Sequence, residues 1–272
     1  MYWYKVKNVL IILFALINVF LLGAIAVGNA EKKREEERLS ESLVKVLENS
    51  KVQIDRELIP QTAPRLSTKQ VENRVEPDAE FASLVLGGNA EIRYDDSGNL
   101  YYAFGGGKLY LANGRLHYYN TSFSGDGDVS ESAVAAAKEM LRKIGAPMAD
   151  YRNEIQGDTV VFTMYIDGVP LFGNTLNVKM AGNKVGELWG YIIINTAYSG
   201  TQTRLRSAAD VLLEFLQDSS RGTENVTVTA IELGYSVLAQ GTDVDFKTAD
   251  AIPTYRVQTD DGREFYYDAR QN

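Results

Sequence analysis

The residues able to do chemistry are few. Histidine occurs once, at His117, and cysteine is absent. This excludes thiolate catalysis, structural zinc, iron–sulfur clusters, disulfide staples and a His-dependent triad. His117 has no Cys or second His to work with and reads as a sheet-surface or partly buried structural histidine. Gly105-Gly106-Gly107-Lys108 lacks the first Gly of a phosphate loop and the Ser/Thr after Lys. It also lies between strand patterns, so no helix N-terminus awaits a phosphate, and a hairpin loop is expected. Asp126-Gly127-Asp128-Val129-Ser130-Glu131 gathers oxygen ligands, yet its Gly is misplaced for a calcium loop and no Glu closes it. Asp128 and Glu131 read instead as a capping box, at N-cap and N3 of a helix. Asp243, Asp245 and Asp250 read as a solvated acidic turn. Carboxylate pairs for glycoside chemistry must exist among 36 acids, but no spacing singles one out. No catalytic, cofactor-binding or metal-binding residue is assigned, and the chain is read as a non-enzyme.

The elements that would position these groups follow from periodicity. Residues 31–49 read as a helix, charged at first, with Leu39, Leu43, Val46 and Leu47 on one apolar stripe. From Pro60 to Pro77 a long surface loop is expected. Short alternating segments at Glu91–Tyr94, Leu100–Phe104, Lys108–Leu111 and Arg115–Tyr119 form a β-meander. Asn113-Gly114 is its strongest hairpin signal, because both positions tolerate positive φ. Leu86-Gly87-Gly88-Asn89 reads as a bend. A helix from Asp128 to Ile144, with Val134, Ala137, Leu141 and Ile144 inward, precedes strands at Thr159–Ile166, Val169–Met180 and Val185–Thr196. A second helix opens at Ser207, with Val211, Leu212, Phe215 and Leu216 inward. Strands at Val226–Leu238, Ile252–Gln258 and Arg263–Asp268 follow it. Helix followed by three-strand meander, twice, points to a duplicated α+β unit in which each helix packs on an antiparallel sheet.

The clearest segment is the charge-free run from Asn8 to Ala30. Val9 to Val27, as a helix rising about 1.5 Å per residue, spans roughly 28 Å, close to a hydrocarbon core of about 30 Å. Tyr2, Trp3 and Tyr4 precede it, where aromatic rings favour the headgroup layer. A cleaved signal peptide is the competing reading, with Gly28-Asn29-Ala30 as its small-residue site, although signal h-regions are shorter. Lys5 and Lys7 lead the span, while Lys32, Lys33, Arg34 and Arg38 trail it. The positive-inside count therefore leans slightly against export. The trailing cations are interleaved with Glu31, Glu35, Glu36 and Glu37, and little chain precedes the span, so export of the large part is expected. Within the span, Asn18 shares a face with Ala15, Leu22 and Ile25, and a polar amide in lipid favours a partner helix. These four are the expected partner-facing residues.

The net charge of −8, or −10 once Lys5 and Lys7 are set aside, disfavours a nucleic-acid partner. Length and pattern divide the chain into an anchor (1–30), a membrane-proximal α+β domain with a charged helical stalk (31–125) and a C-terminal α+β domain of two helix-plus-meander units (126–272).

Several stretches together resemble one family. They are Leu16–Leu22 in the anchor, Ser50–Asp55 before Leu58-Ile59-Pro60, and Asp167-Gly168-Val169-Pro170-Leu171-Phe172. Toward the end come Ser207–Leu212, Ile231-Glu232-Leu233-Gly234-Tyr235, Ile252–Arg256 and Phe265–Ala269. In this order they are similar to the YycI proteins. The resemblance implies a membrane-anchored regulator of a WalK-like sensor histidine kinase that controls cell-wall metabolism in Gram-positive bacteria. It also implies a YycH-like partner, a single pass through the cell membrane with the N-terminus cytoplasmic and the rest extracytoplasmic, and no catalytic residue. The helix-plus-meander units and the closing Tyr-Tyr-Asp-Ala also resemble PepSY-type domains, which implies an exported binding or inhibitory module for a peptidase or wall component. An anchored wall hydrolase using two carboxylates is the third class.

Overall fold

The computed structural model describes Lys7, Phe14, Asn18, Phe20 and residues 38–60, 65–123, 129–237 and 246–271. In chain order the elements are helix α1 (38–49), β1 (Val52–Ile54), β2 (Leu66–Asn73), α2 (Ala79–Leu86), β3 (Glu91–Tyr94), β4 (Leu100–Phe104), β5 (Gly107–Ala112) and β6 (Arg115–Asn120). Then come α3 (Glu131–Lys143), β7 (Tyr151–Gln156), β8 (Thr159–Ile166), β9 (Val169–Ala181), β10 (Lys184–Gly190) and β11 (Ile193–Thr203). The chain closes with α4 (Ala208–Gln217), β12 (Val226–Val237), β13 (Thr248–Thr259) and β14 (Glu264–Asp268). The class is α+β. The sheet is mixed rather than purely antiparallel, because β1 and β9 each run parallel to β12.

The described residues fall into two compact units, each discontinuous in sequence. One draws on Met1–Thr62, Ser207–Ile231 and Val257–Phe265, the other on Ala63–Arg206, Glu232–Arg256 and Tyr266–Asn272.

In the first unit, Ser40, Leu43 and Leu47 form the inward stripe of α1, while Leu39 is 65% and Val46 46% exposed. The expected stripe is thus rotated: positions 40, 43 and 47 lie on one face, and 39 and 46 fall beside it. α4 begins as expected. Ser207 Oγ accepts from the Asp210 N–H at 3.2 Å, and Asp210 Oδ2 accepts from the Ser207 N–H at 3.1 Å, a reciprocal cap. Ala208, Val211, Leu212 and Phe215 are buried in it, and Phe215 meets Phe265 edge-on at 5.1 Å.

In the second unit, antiparallel pairing runs β7-β8-β9-β10-β6-β5-β4-β3. The expected four-strand meander is its last part. Asn113 (φ 52) and Gly114 (φ 67) make the two-residue turn in left-handed conformation. α2 packs on β4 and β5, and α3 on β9 and β10. The side chains beneath them (Tyr102, Leu109, Leu188, Val178 and Val160) are buried, as alternation requires of a half-covered sheet.

Several expectations are corrected. The loop expected from Pro60 to Pro77 contains β2, which lies between β11 and β13 with Leu66, Ser67, Val71 and Asn73 buried. Its apolar signal is thin because ladder bonds on both sides hold it. The bend expected at Leu86–Asn89 is present at Gly87-Gly88, but the helix before it was not expected: α2 is capped by Asp78, 2.7 Å from the Phe81 N–H, and terminated by left-handed Gly87. α3 starts at Glu131 with Ser130 as N-cap, accepting from Ala133 N–H, so Glu131 is its first residue and not a capping-box partner of Asp128. Asp128 lies outside the described residues. The buried face of α3 uses Ala133 with Ala137 and Leu141, and Val134 is only half-buried. The strand expected from Val185 to Thr196 breaks at Tyr191-Ile192 into β10 and β11. Gly190 (φ +131) makes that break possible, since a Cβ there would stand 1.9 Å from the Thr175 carbonyl oxygen. With β7 added, five strands follow α3 and three follow α4, so the two halves do not repeat strand for strand.

Among the described residues no helix is long and apolar enough to cross a membrane. Of the expected span only Phe14, Asn18 and Phe20 are described, and the rest of it lies outside them.

Candidate functional site

Cross-strand register concentrates the reactive side chains on the face of the meander opposite α2 and α3. Residues directly opposite in neighbouring strands share a face. Tyr110 pairs with His117, and His117 with Trp189. In the next row, Lys108 pairs with Tyr119, and Tyr119 with Glu187. The result is a two-row ladder of aromatic and ionic groups across β5, β6 and β10.

His117 stands at its centre. Its Nε2 lies 2.5 Å from Glu187 Oε1, and its Nδ1 lies 2.9 Å from the Tyr119 hydroxyl. An ionised carboxylate only accepts, so Nε2–H donates to Glu187, which in a neutral imidazole leaves Nδ1 to accept from Tyr119. The His117 and Tyr119 rings are 4.0 Å apart, Tyr110 meets Tyr119 edge-on at 6.2 Å, and Trp189 lies 6.3 Å from His117. Tyr101 continues the row at 5.5 Å from Tyr110, with Lys108 Nζ 5.1 Å above its ring. An open cleft of about 440 Å³ lies over this ladder, walled by Tyr110, Arg115, His117, Tyr119 and Trp189. A second, of about 280 Å³, is lined by Arg93, Tyr101, Gly106, Lys108 and Thr121.

A hydroxyl, an imidazole and a carboxylate in a chain have the connectivity of a nucleophile, its base and an orienting acid. The expectation that one histidine excludes such a chain is corrected, because strand pairing supplies partners that composition does not reveal. The hydroxyl is phenolic, however. Burial, helped by the negative charge of Glu187, pushes the Tyr119 pKa above its ordinary value. Burial and the charge of Asp95 do the same for Tyr110. Both phenols therefore hold their protons at neutral pH.

The other sequence candidates are dispersed. Gly105 (φ 57) and Gly106 (φ 86) form the β4–β5 turn, a hairpin loop as expected. Asp126, Asp243 and Asp245 lie outside the described residues, and Asp250 lies in β13. Among the described residues no three His, Cys, Asp or Glu side chains gather into a metal-holding group. Asn18 donates from Nδ2 to the Phe14 carbonyl at 2.9 Å, while Ala15, Leu22 and Ile25 lie outside the described residues. Sequence reasoning missed Tyr119, Glu187 and Trp189. The Asn113-Gly114 turn places Tyr110 opposite His117, but β10 joins them only through pairing about 70 residues away.

No family model and no curated protein matches this chain. Among solved structures, an uncharacterized protein from Eubacterium rectale aligns over 82% of this chain and 84% of its own, at 12% identity and a TM-score of 0.41. YycH from Bacillus subtilis aligns over 74% of this chain at 12% identity and a TM-score of 0.48, and the match spans about half (52%) of that chain. The C-terminal domain of YpeB from Bacillus megaterium aligns over 71% of this chain and 91% of its own, at 14% identity and a TM-score of 0.31.

Proposed function

We propose that this chain is a non-enzymatic, membrane-anchored regulator that biases a sensor histidine kinase through contact, beside a YycH-like partner. The observation that carries the contact mechanism is the ladder on β5, β6 and β10, whose acid–base groups are engaged with one another and whose phenols keep their protons. The ordered YycI-like stretches from Leu16 to Ala269 support the kinase as the target. A kinase with two conformations moves toward whichever one the regulator binds better, and by no more than that difference in affinity. Ala15, Asn18, Leu22 and Ile25 form the proposed helix face toward the kinase spans. Asn18 donates one amide hydrogen to the Phe14 carbonyl, and the amide group has a second N–H and an oxygen able to bond a neighbouring helix.

The test is reconstitution of the full chain with a candidate kinase in lipid vesicles. Kinase autophosphorylation is expected to change when the chain is added. Asn18→Leu is expected to weaken association about 3- to 30-fold, from an interhelical contribution of about 0.6–2 kcal/mol. Unchanged phosphorylation together with no co-purification removes the kinase reading. Recovery of a peptidase instead points to the binding or inhibitory module.

A further inference from the structure

We propose that the cleft on β5, β6 and β10 is a saccharide-binding site, shaped for a chain of β-1,4-linked pyranose units with equatorial substituents. This proposal stands independently of the kinase reading. A pyranose of that configuration presents two flat faces of axial C–H groups, and aromatic π faces attract such polarised hydrogens. The cleft presents such rings on successive strands, with centroid separations of 6.2 Å (Tyr110 to Tyr119) and 6.3 Å (His117 to Trp189), whereas Tyr101, 5.5 Å from Tyr110, is buried and backs the platform. These spacings follow from strands about 4.8 Å apart and are comparable with the length of one sugar unit.

The sugar's hydroxyls need planar, directional partners at the rim of such a platform. Arg115 is exposed at the cleft, its guanidinium 5.4 Å over the Tyr191 ring, and the Glu187 carboxylate, held by His117, is 28% exposed in the row that pairs with Tyr119. Hydrogen bonds to charged groups of this kind are the strong ones. The second cleft, on the same sheet face around Tyr101 and Lys108, offers a continuation for a longer chain.

Other ligand classes fit less well. β5, β6 and β10 each have a strand on both sides, so a peptide cannot dock here by adding a strand. The cleft's aliphatic lining is slight: Leu116 is 1% exposed, leaving no deep recess for an apolar anchor. The paired rows carry one lysine, Lys108, and one carboxylate, Glu187, so no single-sign field selects a polyanion.

The experiment uses the full chain in lipid nanodiscs with Trp3→Phe, which leaves Trp189 as the sole tryptophan reporter. Titration with chitotetraose and with cellotetraose is expected to give a saturable change in Trp189 fluorescence, tighter for a tetrasaccharide than for its monosaccharide. Arg115→Ala and Tyr110→Ala are each expected to weaken binding, by up to about tenfold for the lost ring. Arg115 is exposed and its replacement deletes no buried side chain, so, with the urea midpoint checked for the lost contact to the Tyr191 ring, it guards against a variant that merely fails to fold. No saturable change with either tetrasaccharide, or equal affinity in both variants and the parent, overturns the proposal. Kinase phosphorylation measured on the same variants separates failure of this site from failure of the regulatory reading.

Discussion

Tyr235 carries its hydroxyl into the interior, where it donates to the Ser67 carbonyl at 3.0 Å. Burial, with the nearby charge of Asp167, pushes its pKa up to about 12. Burial raises the Tyr151 phenol in the same direction, although its hydroxyl bridges the Ile193 N–H and C=O. The folded state therefore holds these protons more tightly than the unfolded chain, whose tyrosines ionise near pH ~10. Their contribution is fully present below about pH 10 and is lost as pH rises toward the folded values. Urea unfolding is expected to show stability falling between pH ~10 and ~12, with a shallower fall in Tyr235→Phe. That variant is also expected to cost about 1 kcal/mol at pH 7 for the lost hydrogen bond. A parent and variant with the same alkaline slope would contradict this assignment.

Helix α1 shows how much one face matters. Its sequence allows two neighbouring stripes, and packing selects the one through Leu43 and Leu47. Leu47 is 0% exposed, so Leu47→Ala is expected to cost about 2–5 kcal/mol through lost burial and the cavity left behind. Leu39→Ala, at an exposed position, is expected to stay within about 0.5 kcal/mol of the parent. Urea midpoints of the two variants check the assignment, and the reverse order would restore the stripe through Leu39 and Val46. α2, β2 and β7 were not legible in the sequence for different reasons. α2 is short, and its Gly87-Gly88 end imitates a bend. β2 lies among prolines and polar residues and is held by ladder bonds rather than by alternation. β7 buries only Tyr151, so its sequence carries almost no period.

At the scale of the molecule, the linear division at 125/126 and the compact units follow different principles. Linear reading groups neighbours along the chain, whereas each compact unit is discontinuous in sequence, and one of them joins segments separated by more than a hundred residues. Alkaline phosphatase fused to the C-terminus of the full chain is expected to be active in an intact host, and β-galactosidase at the same place inactive. The opposite pair of results would put the large part in the cytosol and remove the proposed mode of action.

The sequence alone was sufficient for the α+β class, the meander, the Asn113-Gly114 turn, the start of α4 at Ser207 and the turn nature of the glycine run at 105–107. Each of these depends on interactions within a few residues, which local periodicity and turn chemistry express. Tertiary structure alone decided the parallel pairing of β12, the break after Gly190, the place of β2 and the union of His117 with Glu187 and Trp189. Those features arise from hydrogen-bonded pairing between distant strands, and a strand's own residues do not specify which partner, or which register, will lie beside it.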